Sequence, residues 1–159
     1  MARLRKNCIL SLLYTALLLA CVVTIVRLLP YSPLKDHFPY SSAVYDEQQN
    51  LLRLTTAKDE KYRLWTPLHD ISPKLVDAVL FQEDEWFYWH FGVNPYGLLR
   101  GAWQTYILGN SPQGGSTITM QLARVLWAID SRSLLGKTEQ ILRAIPLEIR
   151  YSKKEILEA

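Results

Sequence analysis

Residues 81–92 read FQEDEWFYWHFG, so that Glu83, Asp84 and Glu85 stand directly before Trp86, Phe87, Tyr88 and Trp89, with His90 and Gly92 closing the stretch. A carboxylate set among so many apolar side chains needs a partner or a use. An apolar surround raises a carboxylate's pKa toward the range where it can exchange a proton with a reacting hydroxyl. The stretch therefore predicts one carboxylate held for acid or base work inside an aromatic wall. The three histidines, His37, His69 and His90, are scattered and give no metal-ligand spacing.

A second stretch, QGGSTITMQLARVLW, places Gly114, Gly115, Ser116 and Thr117 before an amphipathic helix. Thr117, Gln121 and Arg124 recur at intervals of four and three and share one face, while Ile118, Leu122 and Val125 share another. One face can pack and the other can bind. A glycine-rich turn at a helix start offers N–H groups to an anion, and Arg124 adds a full charge. On its own this feature is read more simply as a Ser or Thr cap on a surface helix. Charge is also divided: residues 30–99 carry 6 basic and 10 acidic side chains, residues 100–159 carry 8 and 5. That split suits a carboxylate facing a cationic pocket, and solvated helix faces would give it too.

The elements around these stretches follow from local signals. Ser72 and Pro73 open a helix whose apolar stripe is Leu75, Val76, Val79 and Leu80 and whose end delivers Glu83. Asn94 and Pro95 open another, which runs to a stop at Gly109 and Asn110. Ile141, Ile145 and Ile149 mark a later helix, which Pro146 interrupts. Ser152 to Glu155 form a capping box for a last one. Before the helices, SAVYDEQQNLLRLTT reads as strand, turn and strand, and YRLWTPL as a third strand. Residues 30–41 read as an extended linker. The last helix ends without a stop signal, as in a chain cut short in mid-element.

At the start, Arg3, Arg5 and Lys6 precede an uncharged run of 18 residues, Ile9 to Val26, ended by Arg27. Its length suits a single transmembrane helix with the N-terminus in the cytoplasm and the rest outside the inner membrane. A cleaved signal peptide has a shorter apolar core ending at a small-residue site. Both cysteines, Cys8 and Cys21, lie in or beside this run, so residues 30–159 hold no internal disulfide. Four of the 18 basic residues belong to the anchor, and the remaining 14 against 15 acids argue against nucleic acid as a partner.

The motifs resemble the family 51 glycosyltransferase domain of class A penicillin-binding proteins, the peptidoglycan polymerases. The first family motif is matched by Glu83, Asp84, Phe87, His90 and Gly92, the second by Gly114 to Thr119 with Gln121 and Arg124. The resemblance runs from Ser42 to Ala159. It implies a mainly α, lysozyme-like helical domain, incomplete at its C-terminal end, with a small N-terminal β segment and a transmembrane helix. The domains are then 1–29 tail and signal-anchor, 30–41 linker, and 42–159 glycosyltransferase.

The activity implied is polymerisation of lipid II into β-1,4-linked glycan, with release of undecaprenyl pyrophosphate and inversion at the donor carbon. Glu83 would be the general base. Asp84, His90, Ser116, Thr117, Gln121, Arg124, Lys137 and Gln140 would bind substrate, and Phe87, Gly92, Gly114 and Gly115 would shape the motifs. The third family motif has arginine, lysine and glutamate where this chain has Gly136, Lys137 and Gln140. The missing carboxylate bears on whether a divalent cation, Mg or Mn, accompanies the substrate diphosphate; no ligand set is implied. Implied partners are lipid II, the lipid-linked glycan chain, the bacterial inner membrane and other cell-wall synthesis proteins, with the domain in the periplasm. Two other readings stand beside this one: a truncated, inactive cell-wall assembly protein, and a lytic glycosidase using Glu83 as an acid.

Overall fold

The computed structural model describes residues 2–109, 114–130 and 133–159. It is mainly helical. Helix α1, Ala2–Leu28, contains a run from Ile9 to Leu28 that is long and apolar enough to cross a membrane. At 1.5 Å per residue those 20 residues reach about 30 Å, the thickness of a bilayer's hydrocarbon core.

The expected linker is partly built into the domain. Leu34–His37 forms a 3-10 turn, and Leu34 is buried in the core with Phe87, Leu122, Leu147, Tyr151 and Ile156. Strands β1, Ala43–Tyr45, and β2, Leu51–Leu54, pair antiparallel with Ala43 opposite Leu54. The third strand does not form. Arg63 bonds instead to Ser41, and further on the Trp65 indole and the Leu68 N–H both donate to the carboxylate of Glu158. The Ser41 hydroxyl and the Glu158 carboxylate thus take backbone N–H groups that a ladder would have used.

Helix α2, Pro73–Glu83, has the expected start and end. Its stripe is only partly inward: Leu80 packs on the core, whereas Leu75 and Val79 are exposed. The helix is held by its C-terminal end. Helix α3, Pro95–Ala102, is capped by the Asn94 side chain, which accepts from the Gly97 N–H. It passes into a π-helical turn, Trp103–Ile107, in place of the regular helix expected, and Gly109 follows with φ of +64°. Asn110 lies outside the described residues.

Helix α4, Ile118–Leu126, and α5, Leu134–Arg150, make the main packing surface. The buried side of α5 carries Gly136, Gln140, Ala144, Leu147 and Glu148, one turned away from the expected isoleucine stripe; Ile145 is exposed. Pro146 does not break α5. Its ring and Leu142, whose carbonyl loses a donor, both lie at exposed positions, so water can replace the missing bond. Helix α6, Lys153–Glu158, begins with the capping box between Ser152 and Glu155.

Candidate active site

Helix α2 ends on the carboxylate expected to act as base. Glu83 is its last residue, and the next, Asp84, drops out of the helix with φ of −160° and turns inward. The two neighbouring carboxylates therefore part company: Glu83 is exposed and Asp84 is buried. Asp84 accepts from His90 Nε2 at 2.9 Å and from the Ile118 N–H at 3.0 Å. Phe87 is fully buried and meets the His90 ring edge-on. Gly92 has φ of +76°, and a Cβ there would lie 2.9 Å from the Ala144 carbonyl oxygen. The segment 84–92 is thus a plug seated on α4 and α5, and Glu83 stands at its rim.

Of the expected aromatic wall around Glu83, Phe81 and Trp86 line a groove with it, but no dry enclosure forms. Trp86, Tyr88 and Trp89 are exposed, because the plug's inward positions are taken by Asp84, Phe87 and His90. Glu83 is exposed, and among the described residues Gln121 Nε2 donates to its Oε2 at 2.9 Å. Beside this pair lies a groove of about 560 Å³, lined also by Arg100, Ser116 and Arg124. A second groove of about 410 Å³ adjoins it and shares Glu83, Arg100, Gly114 and Ser116, adding Gly115, Trp86 and Tyr96.

Thr117 does not join the face that meets the groove's contents through its hydroxyl. The residue is buried; its hydroxyl donates to the Gly92 carbonyl at 2.6 Å and accepts from the Met120 N–H at 3.1 Å. The start of α4 is likewise not open to an outside anion. Asp84 takes the Ile118 N–H and Thr117 takes that of Met120, so the protein's own carboxylate occupies the positive end of the helix. The cationic side chains here are Arg100 and Arg124, which line the 560 Å³ groove, and Lys137, which lines neither groove but meets the Ser116 hydroxyl. Arg100 was not singled out in the sequence; its signal was its place as the first cation after the change in charge balance.

Lys137 donates to the Ser116 hydroxyl, and its ammonium is pushed below the ordinary lysine range, first by burial and then by the Arg124 charge. Gly136 beside it has no substitute with a Cβ, which would sit 1.7 Å from the Asp130 carbonyl oxygen. Gln140 is buried in α5 away from both grooves' linings, its Nε2 without a partner among the described residues. Among the described residues no group of three His, Cys, Asp or Glu side chains is placed to hold a metal. With Asp84 engaged, only Glu83 and Glu85 offer carboxylate oxygens to the grooves. Two carboxylates fall short of an all-protein cage, and they are the number that can hold magnesium together with the oxygens of a bound diphosphate.

The depressed lysine has a pH consequence. A cation whose folded pKa lies below its unfolded value destabilises the fold at neutral pH, and the penalty fades as pH rises through the folded pKa toward the unfolded value near 10.5. Lys137→Met is therefore expected to melt higher than the parent chain at pH 7, with the gap narrowing by pH 10. Thermal melts of the two chains across that range check it; a gap that widens with pH would contradict it.

Sequence comparison places these residues among known proteins. The transglycosylase family model matches residues 48–159. Penicillin-binding protein 1C of Escherichia coli is 39% identical over 125 residues, covering 79% of this chain and 16% of that protein. Penicillin-binding protein 1A of Aquifex aeolicus is 34% identical over 143 residues, 89% of this chain and 19% of the relative. Penicillin-binding protein 1A of Escherichia coli is 41% identical over 99 residues, 62% of this chain and 12% of the relative. The chain thus spans about a fifth or less of the length of these relatives.

Proposed function

Because the chain belongs to the transglycosylase family, we propose that it carries the donor and acceptor groove of a peptidoglycan glycosyltransferase that polymerises lipid II. The observation that carries the reading is Glu83 at the end of α2, bonded to Gln121 and sharing one groove with Arg100 and Arg124. In this reading Glu83 takes the proton from the C4 hydroxyl of the acceptor sugar as that oxygen bonds to C1 of the lipid-linked donor. The bond from C1 to the diphosphate breaks on the opposite side, which inverts the carbon. Undecaprenyl pyrophosphate leaves with the bonding electrons.

A hydroxyl is a weak nucleophile at neutral pH, and a positioned base contributes about 10²- to 10⁴-fold. The negative charge that grows on the leaving diphosphate is where Arg100, Arg124 and Lys137 act most strongly. Asp84 and His90 hold the plug in this scheme, and Ser116 and Gln121 orient substrate. The glycosidase reading is less well supported: hydrolysis makes no use of a cation-lined groove, and Arg100 and Arg124 line this one beside Glu83. Helix α1 would anchor the domain in the inner membrane with its N-terminus in the cytoplasm, placing the groove beside substrates that are themselves held by lipid tails.

The test is incubation of the chain, reconstituted in vesicles, with labelled lipid II. Glycan product with release of undecaprenyl pyrophosphate supports the proposal. Cleavage of preformed glycan supports the lytic reading. Product only from a C-terminally extended chain supports the reading of this chain as an inactive assembly protein.

A further inference from the structure

We propose that a groove beside the exit of α1 is a headgroup site for an anionic phospholipid of the bilayer; the inference rests on the membrane reading of α1 given above. The groove holds about 500 Å³. It is lined by Pro30 and Tyr31 just past α1, by Leu126 and Trp127 at the end of α4, and by Pro146 and Arg150 of α5. Its level relative to α1 is fixed by four hydrogen bonds. Arg27 donates to the carbonyls of Glu148 and Ile149, each at 3.1 Å, at the C-terminal end of α5. The Tyr31 hydroxyl donates to Glu155 and the Tyr151 hydroxyl to the Ser32 carbonyl, each at 3.0 Å. The groove consequently opens within a few residues of the point where α1 ends.

Its chemistry suits the boundary between headgroups and acyl chains. Tryptophan and tyrosine favour that level of a bilayer, and proline and leucine give an apolar floor for the ester region. Arg150 stands 5.9 Å from the Tyr31 ring and forms no ion pair with a carboxylate among the described residues. No Asp or Glu lines the groove. Glu155, reached through Tyr31, has one oxygen on that hydroxyl and the other on Ser152. The neighbouring Arg143 lies over the Trp127 ring but is paired with Glu139. One uncompensated cation between aromatic and apolar walls complements a phosphodiester flanked by fatty chains. A small soluble anion would leave the apolar walls unused.

The chain is reconstituted in phosphatidylcholine vesicles carrying a trace of spin-labelled phosphatidylglycerol or spin-labelled phosphatidylcholine, and the motionally restricted fraction is read by electron spin resonance. A basic residue near an anionic surface is worth roughly a fivefold preference. The parent chain is expected to prefer phosphatidylglycerol by at least about that factor. Arg150→Gln should cut the preference by about that factor, leaving what Arg3, Arg5 and Lys6 contribute at the other end of α1, and Arg150→Lys should restore it. Lys58→Gln, an exposed site far from the groove in sequence, should leave it unchanged. Equal far-ultraviolet circular dichroism of all four chains controls for folding. A preference unchanged by Arg150→Gln, or none in the parent chain while it remains in the vesicles, overturns the site alone. A chain that does not partition into vesicles overturns the membrane reading of α1 and this inference with it.

Discussion

Glu83→Gln is expected to reduce glycan synthesis from lipid II by about 10²- to 10⁴-fold, the range a positioned general base supplies, while leaving the fold intact. The side chain is exposed, and among the described residues its hydrogen-bond partner is the Gln121 amide, from which a glutamine carbonyl can still accept. Binding of the lipid-linked donor should change little, since the cations on the facing wall are untouched. The measurement is turnover under saturating lipid II together with a melting curve of the same preparation. Turnover within a factor of three of the parent chain would remove Glu83 from the chemistry. A large fall in melting temperature would instead show that the residue holds the plug. Glu83→Asp provides the finer control: it keeps the charge and shortens the reach, so it should retain part of the rate that glutamine loses.

The largest stability effect is expected at the opposite side of the plug. Lys153 Nζ donates to Glu148 Oε1 at 2.7 Å and to the His90 carbonyl at 2.8 Å, and lies 4.4 Å from the centre of the Phe87 ring. Glu148 is buried, its same oxygen also accepting from Thr119 at 2.6 Å. Lys153→Met removes the cation and strands the buried carboxylate, at a cost of about 3–5 kcal/mol. For a chain of this size that corresponds to a fall in melting temperature on the order of 10 °C. Adding Glu148→Gln should recover part of the loss, because the stranded charge is then gone. A shift under about 2 °C for Lys153→Met, or no recovery in the double variant, would mean that the pair contributes nothing that water cannot replace.

The sequence made the helices legible where capping and proline signals were strong. Ser72 with Pro73, Asn94 with Pro95, and the Ser152 capping box each start a helix as expected. Burial was harder to read, because periodicity tells which residues share a face but not which face meets a neighbour. On α5 the side that packs carries Gly136, Gln140, Ala144, Leu147 and Glu148, less apolar than the isoleucine side, since Thr119 and Lys153 supply partners for its carboxylate. At the site, the aromatic residues of 81–92 suggested a dry wall, yet only Phe87 of Trp86, Phe87, Tyr88 and Trp89 turns inward. The open helix start at Thr117 was lost to a carboxylate 34 residues away, a pairing that no local pattern announces. The Glu148–Lys153 pair, split across a helix break, was invisible for the same reason.

The ends of α2 and α4 are joined by consecutive side chains: Asp84 holds the first N–H of α4 and Glu83 meets Gln121, one turn further on. A single tether would let one helix pivot about the other, whereas two act as a key in a slot and remove the swivel. The orientational entropy of the groove's two jaws is therefore spent when the chain folds rather than when a sugar arrives. A rigid mimic of the diphosphate sugar, cut to the preset gap, should consequently outbind a flexible one bearing the same groups.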